Sequence, residues 1–236
     1  MALNDNTEEN TINIDDPDLL AIGIFSRASA VTLNRLARTC VRRQYAAGKT
    51  ILSHGDGNSD VMLLFRGEVV VKVFSPGGRE VAIRTILAGE IFGDYSAIDS
   101  QARSANVIAQ TDVTVGYVSA PEFLNLITTD SQVAQAQMVD LVGMIRLLTQ
   151  RLYEQTTLRA SERLRQTLLR MASVSDAKSN TAVIDQFPTH ANLAALIGSQ
   201  RHVVTTELHR LETEGLVTRN GKGATIPDVA ALGKFL

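Results

Sequence analysis

Ile91-Phe92-Gly93-Asp94-Tyr95-Ser96-Ala97-Ile98, with Arg103-Ser104-Ala105 a few residues further on, is the stretch around which the rest of the chain is read. A glycine beside a carboxylate offers bare backbone N–H groups and an acceptor. An Arg-Ser pair nine and ten residues after that carboxylate offers a charged and a neutral phosphate donor. Donors of both kinds around one acceptor suit a small sugar phosphate. Taken alone, the same residues also read as a Gly-Asp turn near a surface arginine, so the surrounding sequence decides.

That surrounding sequence is strand-like. From Tyr45 to Val118, short β-rich runs cover 50–52, 61–65, 69–74, 80–86, 105–109 and 113–118. They are separated by Gly48, Gly55-Asp56-Gly57, Gly67, Gly77-Gly78 and Gly89-Glu90, and many short strands with glycine at the corners predict a double-sheet jelly roll. Before it, Val31, Leu33, Leu36 and Ala37 give a short helix between Phe25 and Cys40. Residues 1 to 18 are Asn-rich and acidic, with no base before Arg27, and read as a loosely ordered tail. Past Pro121 the period becomes helical. Phe123, Leu124 and Ile127 form a short amphipathic segment, and Met138, Leu141, Ile145, Leu148 and Leu152 then recur at alternating spacings of three and four. Such a narrow stripe matches a facing helix better than a sheet and predicts a two-fold dimer.

The cassette and the spacing of Gly48, Gly55, Gly67 and Gly78 resemble the cyclic-nucleotide-binding domains of the catabolite-activator (cAMP receptor protein)/FNR family of bacterial regulators. The resemblance runs from about Phe25 to the end of the chain. It implies that Gly93 and the N–H groups after it, through Tyr95 and Ser96, hold a phosphate together with Arg103 and Ser104. It further implies that Asp94 accepts the ribose 2′-hydroxyl and that Thr149 meets the base. The effector implied is cAMP, with cGMP or a non-nucleotide effector as alternatives, and no cofactor is implied. The chain departs from the family in three places. Asp94 stands where Glu is more usual, one methylene shorter, while Leu148 and Met144 stand where cAMP-responsive members carry a hydroxyl and an arginine.

Residues 189–208 read as helix, tight turn, helix. Thr189 after Pro188 can cap the first helix, Gly198 can take the left-handed turn conformation, and Ser199 can cap the second helix. Ala194, Leu196, Ile197, Val203, Val204, Leu208 and Leu211 supply buried faces, which leaves Gln200, Arg201, His202, Thr205 and Thr206 outward at the start of helix two. Side chains there reach base edges when such a helix enters the major groove. Arg201 sits where the family uses an arginine for guanine, whereas His202 and Thr206 replace the Glu and Arg of cAMP-responsive members, so the operator should differ. Leu216 to Ile226 reads as a wing hairpin with an Asn-Gly turn, on which Lys222 would contact phosphate.

Composition agrees with this division. The chain has 236 residues, and the net charge of −2 advertises neither nucleic acid nor membrane. Residues 158 to 236, however, hold ten Lys/Arg against seven Asp/Glu, a local excess of three positive charges. Cys40 is the only cysteine, so no internal disulfide or multi-thiolate cluster is possible within one chain, and it reads as a small core residue. His54 alone lies in the roll, too few ligands for a metal-dependent jelly-roll enzyme. With no apolar run near the roughly 18 residues a membrane span needs, a cytoplasmic protein is expected.

The reading is an α+β chain: acidic tail 1–18, cyclic-nucleotide roll 19–129, dimerisation helix 130–157, hinge near Thr157 to Arg159, and winged helix-turn-helix 158–236. Its expected role is that of a non-enzymatic, homodimeric transcription regulator, with a nucleotide-sensing interaction module that does not bind DNA as the alternative. Its expected partners are a palindromic DNA operator, a cyclic nucleotide and RNA polymerase, with no membrane.

Overall fold

The computed structural model describes residues 12–74, 80–176 and 180–234. The chain divides into two compact units, Met1–Gly78 with Ile83–Ile145 and Arg79–Ala82 with Arg146–Leu236.

The first unit opens with α1 (Pro17–Leu20), a 3-10 turn at Gly23–Phe25 and α2 (Ala30–Thr39). The strands β1 (Val41–Tyr45), β2 (Thr50–Leu52), β3 (Val61–Arg66), β4 (Glu68–Phe74), β5 (Glu80–Leu87) and β6 (Ile91–Phe92) follow. Then come α3 (Asp94–Asp99), β7 (Asn106–Ala109), β8 (Val113–Val118), α4 (Ala120–Thr129) and the long α5 (Ser131–Thr157). The strands form two four-stranded sheets, ordered β1-β8-β3-β6 and β2-β7-β4-β5, which is the jelly roll expected from the sequence.

Strand β3 shows why this sheet order suits its residues. Val61 to Phe65 are all buried, with no polar alternation. Val61, Leu63 and Phe65 pack under the helices with Leu36, Phe123 and Leu126, while Met62 and Leu64 face the other way onto Leu52, Val107 and Val115 between the sheets. A strand covered on both faces needs a continuous apolar run.

In the first unit, β1, β6, α1 and α3 escaped the sequence reading. Strand β1 is mostly polar, yet it pairs antiparallel with β8 from Val41↔Tyr117 to Tyr45↔Val113. Its arginines are satisfied sideways: Arg42 lies over the Phe65 ring at 5.0 Å and Arg43 over Tyr117 at 4.6 Å. Strand β6 is two residues long, and α3 lies inside the cassette.

The acidic tail expected over residues 1–18 needs correction where it is described. Residues 1–11, like the Gly77-Gly78 corner, lie outside the described residues. From Ile12 onward the chain is seated: Ile12 is buried, Asp16 caps α1, and Arg42 Nη2 pairs with Asp16 at 2.8 Å and Asp18 at 3.3 Å. The basic partner is supplied by β1, which local composition does not reveal. Val31, expected on the apolar face of α2, is exposed, and Thr32 is buried beside Leu36 and Ala37 instead. The Thr32 hydroxyl donates to Asp130 Oδ2 at 2.7 Å, and the Ser29 N–H donates to the same oxygen at 2.9 Å. These donors hold the Asp130 carboxyl down at about 2 and tie α2 to the start of α5.

The second unit takes residues 146–157 of α5 and continues through α6 (Ala160–Met171), β9 (Ser173–Asp176), β10 (Thr181–Ile184), α7 (His190–Ile197) and α8 (Arg201–Thr213). It ends in β11 (Thr218–Asn220), β12 (Gly223–Ile226) and α9 (Val229–Gly233). Leu164, Leu168, Leu193, Val204, Leu208, Leu211 and Ile226 are the centre of its core, beside a sheet ordered β11-β12-β10-β9. The helix breaks at Leu158-Arg159, where the Arg159 N–H donates to Glu162 Oε2 at 2.6 Å and starts α6. Side chains then brace the break. Glu154, buried on α5, accepts from Arg170 of α6 at 2.5 Å, while Gln155 Nε2 and Arg163 Nε both donate to the Ile197 carbonyl at the end of α7.

Candidate functional site

The Gly93 backbone is held at φ +82°, a conformation that side chains rarely adopt. A Cβ there would lie 2.8 Å from Arg103 Nη1 and 3.0 Å from the Asp60 carbonyl. Gly93 is therefore required twice over, by its own dihedral and by the side chain folded against it.

That side chain is the unusual one. Arg103 is 3% exposed and makes no ion pair among the described residues. Its guanidinium donates to the Gly93 carbonyl at 2.6 Å, the Asp60 carbonyl at 2.6 Å and Asn58 Oδ1 at 3.1 Å, all neutral acceptors. Nε is buried with no hydrogen-bond partner among the described residues. Burial lowers its pKa from the usual arginine value, only partly offset by Asp60 and Asp56 nearby. A buried cation without a counter-ion is costly, and an anion would relieve it.

Asp94 heads α3 and is 6% exposed. Burial raises its carboxyl above the ordinary range, an effect that a hydrogen bond from Gln137 opposes. Gln137 Nε2 on α5 donates to Asp94 Oδ2 at 2.7 Å, and the amide's own oxygen is buried without a partner among the described residues. Sequence reasoning missed Gln137. One signal was available: it lies four residues after buried Val133, so a polar residue occupies the inward face of the helix.

The remaining cassette positions separate by exposure. Ser96 is buried beside Asp94, whereas Tyr95 and Ser104 are exposed. Thr149 is exposed on α5 and belongs to the second unit. Along α5 the stripe read from the sequence is open: Met138, Ile145, Leu148 and Leu152 are exposed, with Val139 and Tyr153 beside them, and Leu141 is half-buried.

In the second unit, Thr189 caps α7 by accepting from the Asn192 N–H at 3.1 Å, and Gly198 turns the chain at φ +63°. Ser199 does not cap α8. The position before that helix is Gln200, which makes no side-chain capping bond, so the turn ends one residue later than expected. Gln200, Arg201, His202, Thr205 and Thr206 are all exposed. Thr205 is nevertheless occupied: its hydroxyl donates to the Arg201 carbonyl at 3.0 Å and lies 2.9 Å from His190 Nδ1. His190 thus braces the first turn of α8, a contact between helices that the sequence did not disclose. In the wing, Asn220 pairs with Gly223, so Gly221 and Lys222 form the turn in place of the Asn-Gly pair expected. Lys222 is exposed there, and Arg219 stacks on Phe187 at 4.1 Å.

The two units match two separate families, a cyclic nucleotide-binding domain over residues 42–130 and a Crp-like helix-turn-helix domain over residues 162–235. They define a regulator in which a cyclic nucleotide-binding domain is joined to a DNA-binding helix-turn-helix. The chain is similar to the cyclic AMP receptor protein of Thermus thermophilus, with 30% identity over 81% of this chain and 85% of the relative. It belongs to the cAMP receptor protein/FNR family of cyclic-nucleotide-responsive transcription regulators. It is also similar to the cAMP-activated global transcriptional regulator Vfr of Pseudomonas aeruginosa, at 27% identity over 80% of this chain and 91% of the relative. Among solved structures, the c-di-GMP responsive global regulator CLP of Xanthomonas campestris shares the fold at a TM-score of 0.71. There the identity is 21%, over 84% of this chain and 99% of that one.

Cys40 is a core residue, whose thiol burial pushes up to about 12. No helix among the described residues is long and apolar enough to cross a membrane.

Proposed function

We propose that this chain is a cytoplasmic homodimeric regulator, not an enzyme, whose roll binds cAMP and whose winged helices bind a palindromic operator. The observation that carries the effector reading is Arg103, a guanidinium buried beside Gly93 with no ion pair among the described residues. The phosphate enters near Arg103 and Ser104 and the amides after Gly93, including those of Tyr95 and Ser96. Asp94 takes the ribose 2′-hydroxyl, and Thr149 the base. That Vfr and the Thermus relative are named for cAMP supports cAMP first.

The exposed stripe of α5 is the dimer seam in this reading. The helix has 27 residues, about 40 Å of length, and its open apolar side chains fit a second copy of the same helix. A two-fold dimer sets the recognition helices for major grooves about 34 Å apart. Arg201 reads guanine through its planar fork, Gln200, His202 and Thr206 flank it, and Thr189, Ser199 and Lys222 approach the backbone. Contact with RNA polymerase follows from this role.

An effector shifts the equilibrium only if it binds the DNA-competent arrangement more tightly. A preference of about 100-fold corresponds to about 2.7 kcal/mol, and DNA must then tighten nucleotide binding by the same factor. Calorimetric titration of the purified chain with cAMP, cGMP and c-di-GMP tests the effector directly. Micromolar or tighter cAMP binding that Arg103→Ala weakens at least tenfold supports the assignment. Unchanged affinity in that variant refutes the pocket.

A further inference from the structure

Two buried polar atoms at the cassette have no hydrogen-bond partner among the described residues: the Nε donor of Arg103 and the Oε1 acceptor of Gln137. Settled cores rarely leave such atoms unpaired, because an orphaned polar group keeps its desolvation cost. Gln137 is 3% exposed and Asp94 6%, so water does not serve them freely. The Asp94 carboxylate makes no ion pair among the described residues, and beside its own backbone N–H it is held by one side-chain amide at 2.7 Å. A purely structural carboxylate of this burial would be expected to hold a cation or several donors, as Asp130 does with the Ser29 and Gln132 N–H groups and the Thr32 hydroxyl.

We propose that Gln137 recognises the effector's sugar, exchanging its bond to Asp94 for a bond to the 2′-hydroxyl and so carrying ribose recognition from the roll into α5. The inference rests on the cyclic-nucleotide reading of the cassette. A hydroxyl has one donor and two acceptor positions. Placed between the two groups, it donates to Asp94 Oδ2 and accepts from Gln137 Nε2, so each keeps one hydrogen bond in place of the one they share, and the parting of the pair frees Gln137 Oε1 to find a donor. Two hydrogen bonds meeting at a tetrahedral oxygen hold their outer atoms about 4.5 Å apart. The pair stands at 2.7 Å, so seating the sugar requires Gln137 and Asp94 to part by nearly 2 Å. Glutamine reaches part of that distance by rotating its side chain, and the rest falls on the helix that carries it. The shorter Asp94 fits the same scheme, since an acid one methylene shorter leaves space that an amide from α5 fills. A deoxyribose would leave the original bond intact.

The experiment compares cAMP and cGMP with their 2′-deoxy analogues by calorimetry on the full chain, in the wild type and in Gln137→Met, which keeps the side-chain length. The wild type should prefer the ribose form by about 10- to 100-fold, as for a hydrogen bond to a charged group. In Gln137→Met that preference should narrow by about tenfold while the deoxy form binds nearly as before. Equal weakening of both forms, with the preference kept, would show a structural role only and overturn the proposal. If the wild type binds the nucleotides but Gln137→Met does not fold, the Gln137 side-chain amide signals of a glutamine-labelled wild type decide. They should shift with the ribose form and stay with the deoxy form, and equal shifts with both overturn the proposal. Wild-type chain that binds no cyclic nucleotide would remove the cassette reading itself, a result distinct from an unchanged preference.

Discussion

Replacing Gly93 by alanine should damage stability and effector binding together, by amounts that the local geometry sets. The dihedral of +82° costs an L-residue about 1–2 kcal/mol in the left-handed region. The new methyl would also lie 2.8 Å from Arg103 Nη1 and 3.0 Å from the Asp60 carbonyl. The carbonyl is backbone and cannot retreat cheaply, so Arg103 must, and losing one of its charged hydrogen bonds costs about 1.5–3 kcal/mol. The sum is about 3–5 kcal/mol. For a unit of this size that lowers the melting temperature by roughly 6–20 °C. Gly48→Ala is the internal control, because Gly48 has nearly the same dihedral, +81°, with no atom within 4 Å of its would-be Cβ. It should show the backbone penalty alone, about 1–2 kcal/mol, with unchanged nucleotide affinity. Scanning calorimetry gives the stabilities, and cAMP titration should show at least a tenfold loss in Gly93→Ala only. Equal melting shifts in the two variants with equal cAMP affinity would refute the packing of Arg103 against Gly93.

Asp94→Asn should stabilise the fold at pH 7 while weakening the effector. Burial raises the native carboxyl above its unfolded value near 3.8, so ionisation works against folding. Wild-type stability from this group is full below pH 3.8 and is lost as pH rises through the native pKa. The advantage of the asparagine variant should therefore shrink as the pH is lowered toward 4, and melting curves across pH 4 to 8 check it. Arg201→Ala should cost about 1–3 kcal/mol of operator affinity and relax selectivity at one base pair, whereas Lys222→Ala should weaken all sequences alike and reduce the salt slope by about one. Competition binding at several salt concentrations separates them. Ile145→Asp, on the open stripe of α5, should convert dimer to monomer in analytical ultracentrifugation, since an unpaired carboxylate in an apolar seam is strongly disfavoured.

Most of the roll was legible because glycines mark its corners and apolar runs its strands, and β2 and β8 coincide with their expected limits. Elements held by partners distant in sequence were not. Strand β1 looks polar until Phe65 and Tyr117 receive its arginines, and Ile12 to Asp18 looks like a tail until Arg42 meets its carboxylates. The same holds in the site. Gly93 and Arg103 could be read from spacing, but the bond between Asp94 and Gln137 joins residues 43 positions apart. The outward set on α8 was legible from helical period, whereas the clasp of Thr205 by His190 and the late start of α8 at Arg201 depend on how α7 and α8 pack.

In the proposed function, a cyclic phosphodiester that neutralises Arg103 prepares the winged helices for DNA. Fluorescence anisotropy of a labelled palindromic operator, selected from random sequence with the cAMP-loaded chain, measures this directly when titrated with full chain at fixed salt. With saturating cAMP the wild type should bind about 100-fold more tightly than without it, and Arg103→Ala should bind equally weakly in both conditions. Operator affinity in the wild type that is indifferent to cAMP, cGMP and c-di-GMP alike would contradict the account.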